Sequence, residues 1–421
     1  MRGLLKGAVL FVLALILAMM PFERAFARIK LVALPERERV EVQLDNGRYT
    51  LVEEERVVPL LASNEKRGNN MIDFSWSNTR INKDSIQFRP IAIRDGDKFR
   101  EIKKTEHGYE VNVINVSYPP GENALVWEVY SASSCAVKVR VSYIIANLNR
   151  HFSYRALADN KEQVLRLEKH LNITNFSGED FGESSLWAGF GNRHFKLLGN
   201  QQIMRILHST FVEVPIAKTY TVDWYKNGRL NDDKPFASKI EMHYEIANTA
   251  EKRLGEFPLQ PGKVRIFIED GRGGEAFLGE DWAALTPIDD KMRLYLGEAR
   301  DVVCERTIEK NERRREQGNL FHQEIVIKYE IENFKDEEVV LCIREQMNRV
   351  AREYFGHRYS GTSGGDVEWE KGRGTSKEIE IDMEDGIANP KLMIRLPARK
   401  EGEEVEKTVV RFHFTLKNLW Q

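Results

Sequence analysis

Cysteine is scarce in this chain, which has three among 421 residues: Cys135, Cys304 and Cys342. Three widely separated cysteines are too few for a disulfide framework, and an odd number leaves at least one thiol unpaired. Each stands among residues typical of strands, so we predict small, buried hydrophobic side chains rather than catalytic thiols. The nine histidines also stand singly, without zinc-ligand spacing. The sequence therefore predicts no metal and no cofactor.

An excess of charge of either sign is also absent. Lysine and arginine number 63 and aspartate and glutamate number 65, which gives a formal net charge of -2. A protein without an excess of basic residues has no net positive electrostatic potential to attract nucleic acid or anionic lipid. We therefore predict no nucleic-acid partner. With 42% hydrophobic and 30% charged residues, the composition is that of a soluble globular protein.

Long hydrophobic runs are lacking except within the first 27 residues. Arg2 and Lys6 precede the uncharged segment Ala8–Met20, and Ala25-Phe26-Ala27 follows with small residues at the positions that a signal peptidase reads. We therefore predict a signal peptide over residues 1–27 that is cleaved after Ala27. This predicts an exported protein, extracellular or periplasmic, that is associated with the cell envelope.

The alternative interpretation of this segment is an uncleaved membrane anchor. The uncharged stretch from Gly7 to Phe22 has 16 residues, whereas a membrane-spanning helix needs roughly 20. No later run approaches this length, so we predict that the mature chain has no membrane span.

Sustained helical periodicity is missing too, and the dominant hydrophobic period along the chain is two. Apolar and polar residues alternate in many short segments, for example Val137-Val139-Val141, Met242-Tyr244-Ile246, Val264-Ile266-Ile268 and Ile325-Ile327-Tyr329-Ile331. Strands with one buried and one solvent-exposed face produce this alternation, and such strands are typical of antiparallel sheets. Asn46-Gly47 supplies the turn of a hairpin between two such segments. The sequence predicts a mainly β protein of multiple antiparallel β-sandwich domains with few short helices.

Two polar segments carry the remaining helical signal. Arg313–Arg315, flanked by Glu309 and Glu316, fits either a short solvated helix or a charged loop tip. Glu345–Val350 is interpreted as a polar strand end or a brief turn.

The length suggests two or three domains, because a domain averages about 150 residues. We predict an N-terminal β-rich domain over residues 28–150 and a middle β domain over residues 151–318. Residues 319–421 then form a C-terminal β-sandwich that is immunoglobulin-like in size. Short strands with turn residues at intervals of roughly 8–12 positions favour that sandwich.

Three segments imitate functional motifs. Gly361–Gly365 fits G-x-S-x-G around Ser363, but strand-like residues follow where a nucleophile elbow needs a helix, so we predict a Gly-rich loop. Gly271–Gly274 fits a relaxed dinucleotide fingerprint, but again a strand follows, so we predict a hairpin turn. Glu179-Asp180 with Glu183 lacks the Asp-rich loop of a calcium site and is interpreted as a solvated acidic turn. We therefore assign no catalytic, cofactor-binding or metal-binding residue.

One part of the chain resembles a known family. The resemblance lies in four segments: Leu254–Phe267, Ala276–Glu280, Thr286–Pro287 and Leu294–Val302. Taken together, they predict a strand, a Pro-Gly turn, a second strand, a Gly turn and a third strand. They closely resemble the signature of the mucoidy inhibitor A-like proteins, in the large C-terminal domain of unknown function. The resemblance covers roughly residues 130–421. It implies a role at the cell envelope, and the family offers no catalytic residues to carry over.

These observations lead to one functional prediction with one alternative. We predict an exported, envelope-associated β-sandwich protein that acts as a binding or scaffolding module and is not an enzyme. An envelope protein or a polysaccharide is the expected partner, and the sequence leaves the oligomeric state open. The alternative is a glycan-active hydrolase, whose two carboxylates would stand about 5–10 Å apart in one cleft.

Overall fold

A computed structural model describes most of the chain. The described residues are 28–31, 37–44, 49–76, 78–105, 108–188, 193–224, 236–355, 367–400, 402 and 404–420. Of these, 64% lie in strands and 4% are helical, which confirms the predicted mainly β fold with several sheets. No helix within the described ranges combines the length and the apolar character needed to cross a membrane.

The strands are, in chain order, β1 (Ile29–Lys30), β2 (Arg39–Gln43), β3 (Thr50–Leu60), β4 (Asn70–Ser75), β5 (Gln87–Asp95), β6 (Lys98–Glu101), β7 (Lys104–Thr105), β8 (Gly108–Tyr109), β9 (Val111–Ser117), β10 (Ala124–Ser131), β11 (Cys135–Ile145), β12 (Leu148–Ala158), β13 (Val164–Asn175), β14 (Gly182–Trp187), β15 (Arg193–Leu198), β16 (Gln202–Pro215), β17 (Ala217–Asp223), β18 (Phe236–Ala237), β19 (Glu241–Ala247), β20 (Gly262–Glu269), β21 (Glu275–Ala283), β22 (Lys291–Glu298), β23 (Val302–Gln317), β24 (Leu320–Asn333), β25 (Val339–Arg344), β26 (Trp369–Lys371), β27 (Ile379–Asp382), β28 (Lys391–Leu396) and β29 (Thr408–Trp420). A helix, α1 (Met347–Phe355), follows β25, and 3-10 turns span Lys83–Ser85 and Ala250–Lys252.

The chain divides into two compact units. The first comprises residues 1–150 and 173–204, and the second comprises residues 151–172 and 205–421.

Two sheets form the core of the first unit. A four-stranded sheet has the order β1-β4-β10-β9, and a seven-stranded sheet has the order β15-β14-β2-β3-β11-β5-β6. The ring centroids of Phe74 on β4 and Tyr143 on β11 lie 5.6 Å apart, and those of Phe88 on β5 and Trp127 on β10 lie 4.7 Å apart. Because each ring pair joins the two sheets, their inner faces pack as a sandwich.

The hairpin predicted around Asn46-Gly47 is confirmed in its strands. β2 and β3 pair antiparallel, with Gln43 opposite Leu51. The turn itself, residues 45–48, lies outside the described residues.

The second unit contains three larger sheets. Their strand orders are β16-β13-β12-β20-β21, β22-β19-β17-β25-β28-β27 and β18-β23-β24-β29-β26. One hydrophobic cluster includes Val222 and Leu341 of the second of these sheets together with Ile327 and Phe412 of the third. These two sheets therefore form a sandwich, which draws strands from both residues 151–318 and residues 319–421.

Strand alternation determines which residues enter this core. Along β24 buried and half-buried residues alternate from Leu320 to Asn333, so Ile325, Ile327 and Tyr329 all face inward. Most neighbouring strands are antiparallel, and the parallel pairs include β12 with β20 and β17 with β25 in this unit and β1 with β4 and β2 with β14 in the first unit.

Neither structure considered for Arg313–Arg315 is correct, because these residues belong to β23. Arg313 lies opposite Gln323 and Arg315 lies opposite Phe321 in the pairing with β24. The Arg313 guanidinium lies 4.2 Å from the centroid of the Phe321 ring. Residues 311–317 are all exposed, so no apolar alternation marks this part of the strand in the sequence.

The interpretation of Glu345–Val350 as a strand end or turn is wrong as well, because α1 begins at Met347. Met347, Val350 and Ala351 are all fully buried. Their spacing of three and four residues places them on one face of the helix, which packs into the core.

Candidate ligand-binding groove

The fingerprint-like glycines occupy the hairpin turn that the sequence predicts. Residues 271–274 connect the antiparallel strands β20 and β21. An Asp270 carboxylate oxygen accepts hydrogen bonds from the backbone N–H groups of Arg272 and Gly274, each at 2.8 Å. Gly271 and Gly273 have φ of 70° and 89°, which glycine adopts without a steric penalty. The turn opens into a strand, so it presents no helix N-terminus to a pyrophosphate.

The G-x-S-x-G segment with Ser363 lies outside the described residues. The acidic segment, in contrast, is described. Arg37 donates a hydrogen bond to the Glu179 carboxylate, and an Asp180 carboxylate oxygen accepts from the Gly182 N–H at 3.1 Å. Among the described residues, no group of three or more His, Cys, Asp or Glu side chains is placed to hold a metal ion.

All three cysteines are free thiols. Cys304 is fully buried, and this burial raises the pKa of its thiol to about 12. Cys135 and Cys342 are half-buried. Burial raises the pKa of Cys342 as well. A raised pKa keeps a thiol protonated at neutral pH, which does not favour nucleophilic chemistry.

A groove of about 430 Å³ lies on the outer face of the sheet β16-β13-β12-β20-β21. It is lined by His151, Ser153, Tyr154, Arg155, Asn172, Arg205, Lys263, Arg265, Phe267 and Trp282, all in the second unit. Buried and exposed side chains alternate along β20: Val264 and Ile266 are buried, whereas Lys263 and Arg265 are exposed and point into the groove. The groove therefore consists mainly of the outward-pointing residues of five strands.

Strand register aligns these outward residues in rows across the sheet. In the parallel pair of β12 and β20, Ser153 lies beside Lys263 and Arg155 lies beside Arg265. In the antiparallel pair of β20 and β21, Lys263 lies beside Trp282. The Asn172 amide on β13 donates a hydrogen bond to the Ser153 hydroxyl at 2.8 Å. One row thus joins an amide, a hydroxyl, an ammonium group and an indole ring.

Two glutamates at the border of the groove form ion pairs with three of its positively charged side chains. Glu280 accepts hydrogen bonds from Lys263 at 2.6 Å and from Arg265 at 3.1 Å, which lower the pKa of its carboxyl below the usual value. Glu275 forms an ion pair with Arg155. Neither glutamate belongs to the lining, and the lining found among the described residues includes no carboxylate.

The aromatic part of the groove is unusually accessible. The Trp282 side chain is 61% exposed, although indole rings are usually mostly buried. Phe267 lies under the Arg155 guanidinium, whose carbon is 4.8 Å from the ring centroid. Phe267 also makes an edge contact with Phe277 of the next strand, with centroids 5.4 Å apart. The groove therefore offers one free ring face and one ring that is already covered.

Arg205 on β16 supplies the remaining positive charge. Its side chain is exposed, and it forms no ion pair with any residue in the described part of the chain. Burial lowers the pKa of the neighbouring His170 imidazole, and the positive charge of Arg205 lowers it further. The groove is therefore electropositive at its β16 side.

A second groove of about 480 Å³ lies on the outer face of the sheet β22-β19-β17-β25-β28-β27. Its charges neutralise one another, since Asp385 pairs with Arg344 at 2.5 Å and with Lys391 at 3.1 Å. Its described lining contains no aromatic side chain. The first groove is therefore the better candidate for ligand binding.

Sequence reasoning did not find the residues of this groove. Lys263, Arg265 and Phe267 alternate with the buried residues of β20, and an aromatic residue on the polar side of an alternating strand is a usable signal. The contribution of Arg155 and Arg205 depends on pairing between distant strands, which no local pattern encodes.

Neither a protein-family model nor a curated protein sequence matches the chain.

Proposed function

We propose that this protein is an exported, envelope-associated binding module that holds a saccharide chain in the groove beside Trp282. The observation that carries this proposal is the exposed indole ring among hydrogen-bonding side chains on a β-sheet. A volume of about 430 Å³ falls within the range of roughly 300–1,000 Å³ that is typical of small-molecule sites.

A sugar ring needs two kinds of contact, and the groove has both. The flat face of a pyranose carries C–H groups, which pack on an exposed aromatic ring and remove apolar surface from water. The hydroxyls at its edge need directional partners, and Asn172, Ser153 and Arg155 offer amide, hydroxyl and guanidinium groups. Side chains that project from strands are fixed more precisely than those of loops, which lowers the cost of ordering them on binding.

The proposed location at the envelope is supported by the leader sequence and by the resemblance to the mucoidy inhibitor A-like proteins. We propose that the chain belongs to that family and functions outside the cytoplasm. Both a polysaccharide and an envelope protein carrying a glycan are compatible with a saccharide-binding groove.

Export makes a direct prediction about the mature chain. Cleavage after Ala27 gives a mature N-terminus at Arg28, because Ala25 and Ala27 are the small residues that the peptidase reads. Mass spectrometry of the protein recovered from its native host will detect this terminus. A protein that begins at Met1 and stays in the cytoplasm would contradict the proposal.

The glycan-active hydrolase stays the alternative. A hydrolase needs two carboxylates that flank the glycosidic bond. At this groove Glu275 and Glu280 are already engaged by Arg155 and by Lys263 and Arg265, which supports binding better than cleavage. Release of reducing ends from a bound polysaccharide would favour the hydrolase instead.

Replacing Trp282 tests the binding proposal. We expect Trp282→Ala to weaken saccharide binding about 30-fold, because truncating a tryptophan at the centre of an interface commonly costs about 2 kcal/mol. The measurement is native affinity electrophoresis in gels that contain dextran, xylan, polygalacturonate or alginate. The wild type should be retarded in at least one gel.

The matched control is Phe334→Ala, which removes an exposed aromatic side chain of the same unit outside the groove lining. This variant should migrate as the wild type does in every gel. A wild type that no polysaccharide retards, or equal retardation of wild type and Trp282→Ala, would overturn the proposed function.

A further inference from the structure

The groove and its border carry more positive than negative charge. The cations are Arg155, Arg205, Lys263 and Arg265, and the carboxylates that pair with them are those of Glu275 and Glu280. Four cations and two carboxylates leave a local excess of two positive charges. The whole chain has a formal net charge of -2, so this excess belongs to the groove and not to the protein in general.

The unpaired part of this charge is concentrated at Arg205. Lys263 and Arg265 share Glu280, and Arg155 has Glu275, whereas Arg205 forms no ion pair among the described residues. A guanidinium group presents two parallel N–H donors, which match the two oxygens of a carboxylate. Arg205 therefore has its full donor set available to an anion that enters the groove.

We propose that the groove selects acidic saccharide chains, with one sugar ring packing on Trp282 and Arg205 receiving an anionic group of the same chain. This inference rests on the proposed saccharide-binding function and adds the chemical class of the ligand. The shared chemistry is a negatively charged oxygen group on a pyranose, which either a uronic acid carboxylate or a sulfate ester supplies.

The charge pattern favours an acidic saccharide over nucleic acid. A nucleic-acid groove follows a phosphate backbone with a series of free cations and stacks successive bases on several aromatic rings. Here three of the four cations are held by glutamates, and the ring of Phe267 is covered by Arg155. One free arginine and one free ring, on the two edge strands of the sheet, fit a short acidic oligosaccharide.

The test compares an alginate hexasaccharide with the same oligosaccharide after chemical reduction of its carboxyl groups, by isothermal titration calorimetry on the full chain. We expect the wild type to bind the acidic form at least about tenfold more tightly, since a charge-assisted hydrogen bond contributes about this much. Arg205→Ala should lose most of that preference and keep its affinity for the reduced form. Dextran sulfate against dextran gives the corresponding comparison for sulfate.

Arg166→Ala is the matched control, because Arg166 is an exposed arginine on β13 of the same sheet, paired with Glu168 and outside the groove lining. It should retain the preference of the wild type. Equal affinity for acidic and neutral forms in both comparisons would overturn the inference while leaving saccharide binding intact. So would an equal loss for both forms in Arg205→Ala, or displacement of the alginate hexasaccharide by oligodeoxythymidylate. Failure of every saccharide to bind would overturn the proposed function itself.

Discussion

Ile266→Asp is expected to prevent the second unit from folding. Ile266 is 0% exposed at the centre of β20, between Ala156 of β12 and Gly279 of β21. Neither neighbour offers a hydrogen-bond donor or a positive charge from its side chain. An ionised carboxylate buried without a partner costs several kcal/mol, and protonating it at neutral pH also costs free energy. Since a domain is stable by only about 5–15 kcal/mol, this single change removes a large part of that margin.

Ile203→Asp is the matched control for this experiment. Ile203 lies on β16 of the same sheet but is 71% exposed, so its replacement by aspartate leaves the new charge in water. Far-UV circular dichroism and thermal unfolding should show a folded, β-rich protein for Ile203→Asp and loss of the cooperative transition for Ile266→Asp. A melting temperature of Ile266→Asp within a few degrees of the wild type would mean that β20 is not a central strand.

The elements of this fold differ in how far the sequence predicts them. Alternation identifies a strand such as β20 and its buried residues, because burial on one face repeats every second residue. It does not identify a strand such as the outer part of β23, where Arg313–Arg315 are exposed and no apolar residue marks the period. It also missed α1, whose buried Met347, Val350 and Ala351 fill little more than one helical turn.

The groove was less predictable than the strands for a different reason. Its residues come from β12, β13, β16, β20 and β21, and the parallel pairing of β12 with β20 places Arg155 beside Arg265 across a separation of 110 positions. Strand partners are chosen by packing of the whole sheet, so a single sequence does not specify which outward residues meet. The local signal was Phe267, an aromatic residue on the polar side of the alternating strand β20.

Glu345→Ala is expected to lower the free energy of unfolding by about 3–5 kcal/mol, which is the usual cost of breaking a buried ion pair by removing one partner. Glu345 is 1% exposed and accepts hydrogen bonds from the Arg306 guanidinium at 3.2 Å and from the Tyr329 hydroxyl. Arg306 is also buried, and its guanidinium carbon lies 5.0 Å from the centroid of the Trp224 ring. Removing the carboxylate therefore breaks the buried ion pair with Arg306.

The hydroxyl of Tyr329 also depends on the Glu345 carboxylate. Burial raises the pKa of its hydroxyl well above the usual value, and the neighbouring Glu345 carboxylate raises it further. The hydroxyl therefore stays protonated and remains a donor to Glu345 throughout the physiological pH range. Replacing Glu345 removes the acceptor for this buried donor, so the cost includes an unsatisfied hydroxyl as well as the lost ion pair with Arg306.

Urea denaturation at neutral pH measures the effect, with Glu338→Ala as the control. Glu338 pairs with Arg395 at 3.4 Å, but both side chains are largely exposed, so this pair should contribute at most about 1 kcal/mol. The double variant Arg306→Ala/Glu345→Ala should be less destabilised than the sum of the two single variants, because the ion pair between the two residues is lost in each single variant but only once in the double variant. Additive losses, or equal stability of Glu345→Ala and Glu338→Ala, would show that Glu345 and Arg306 are not coupled in the core of this sandwich.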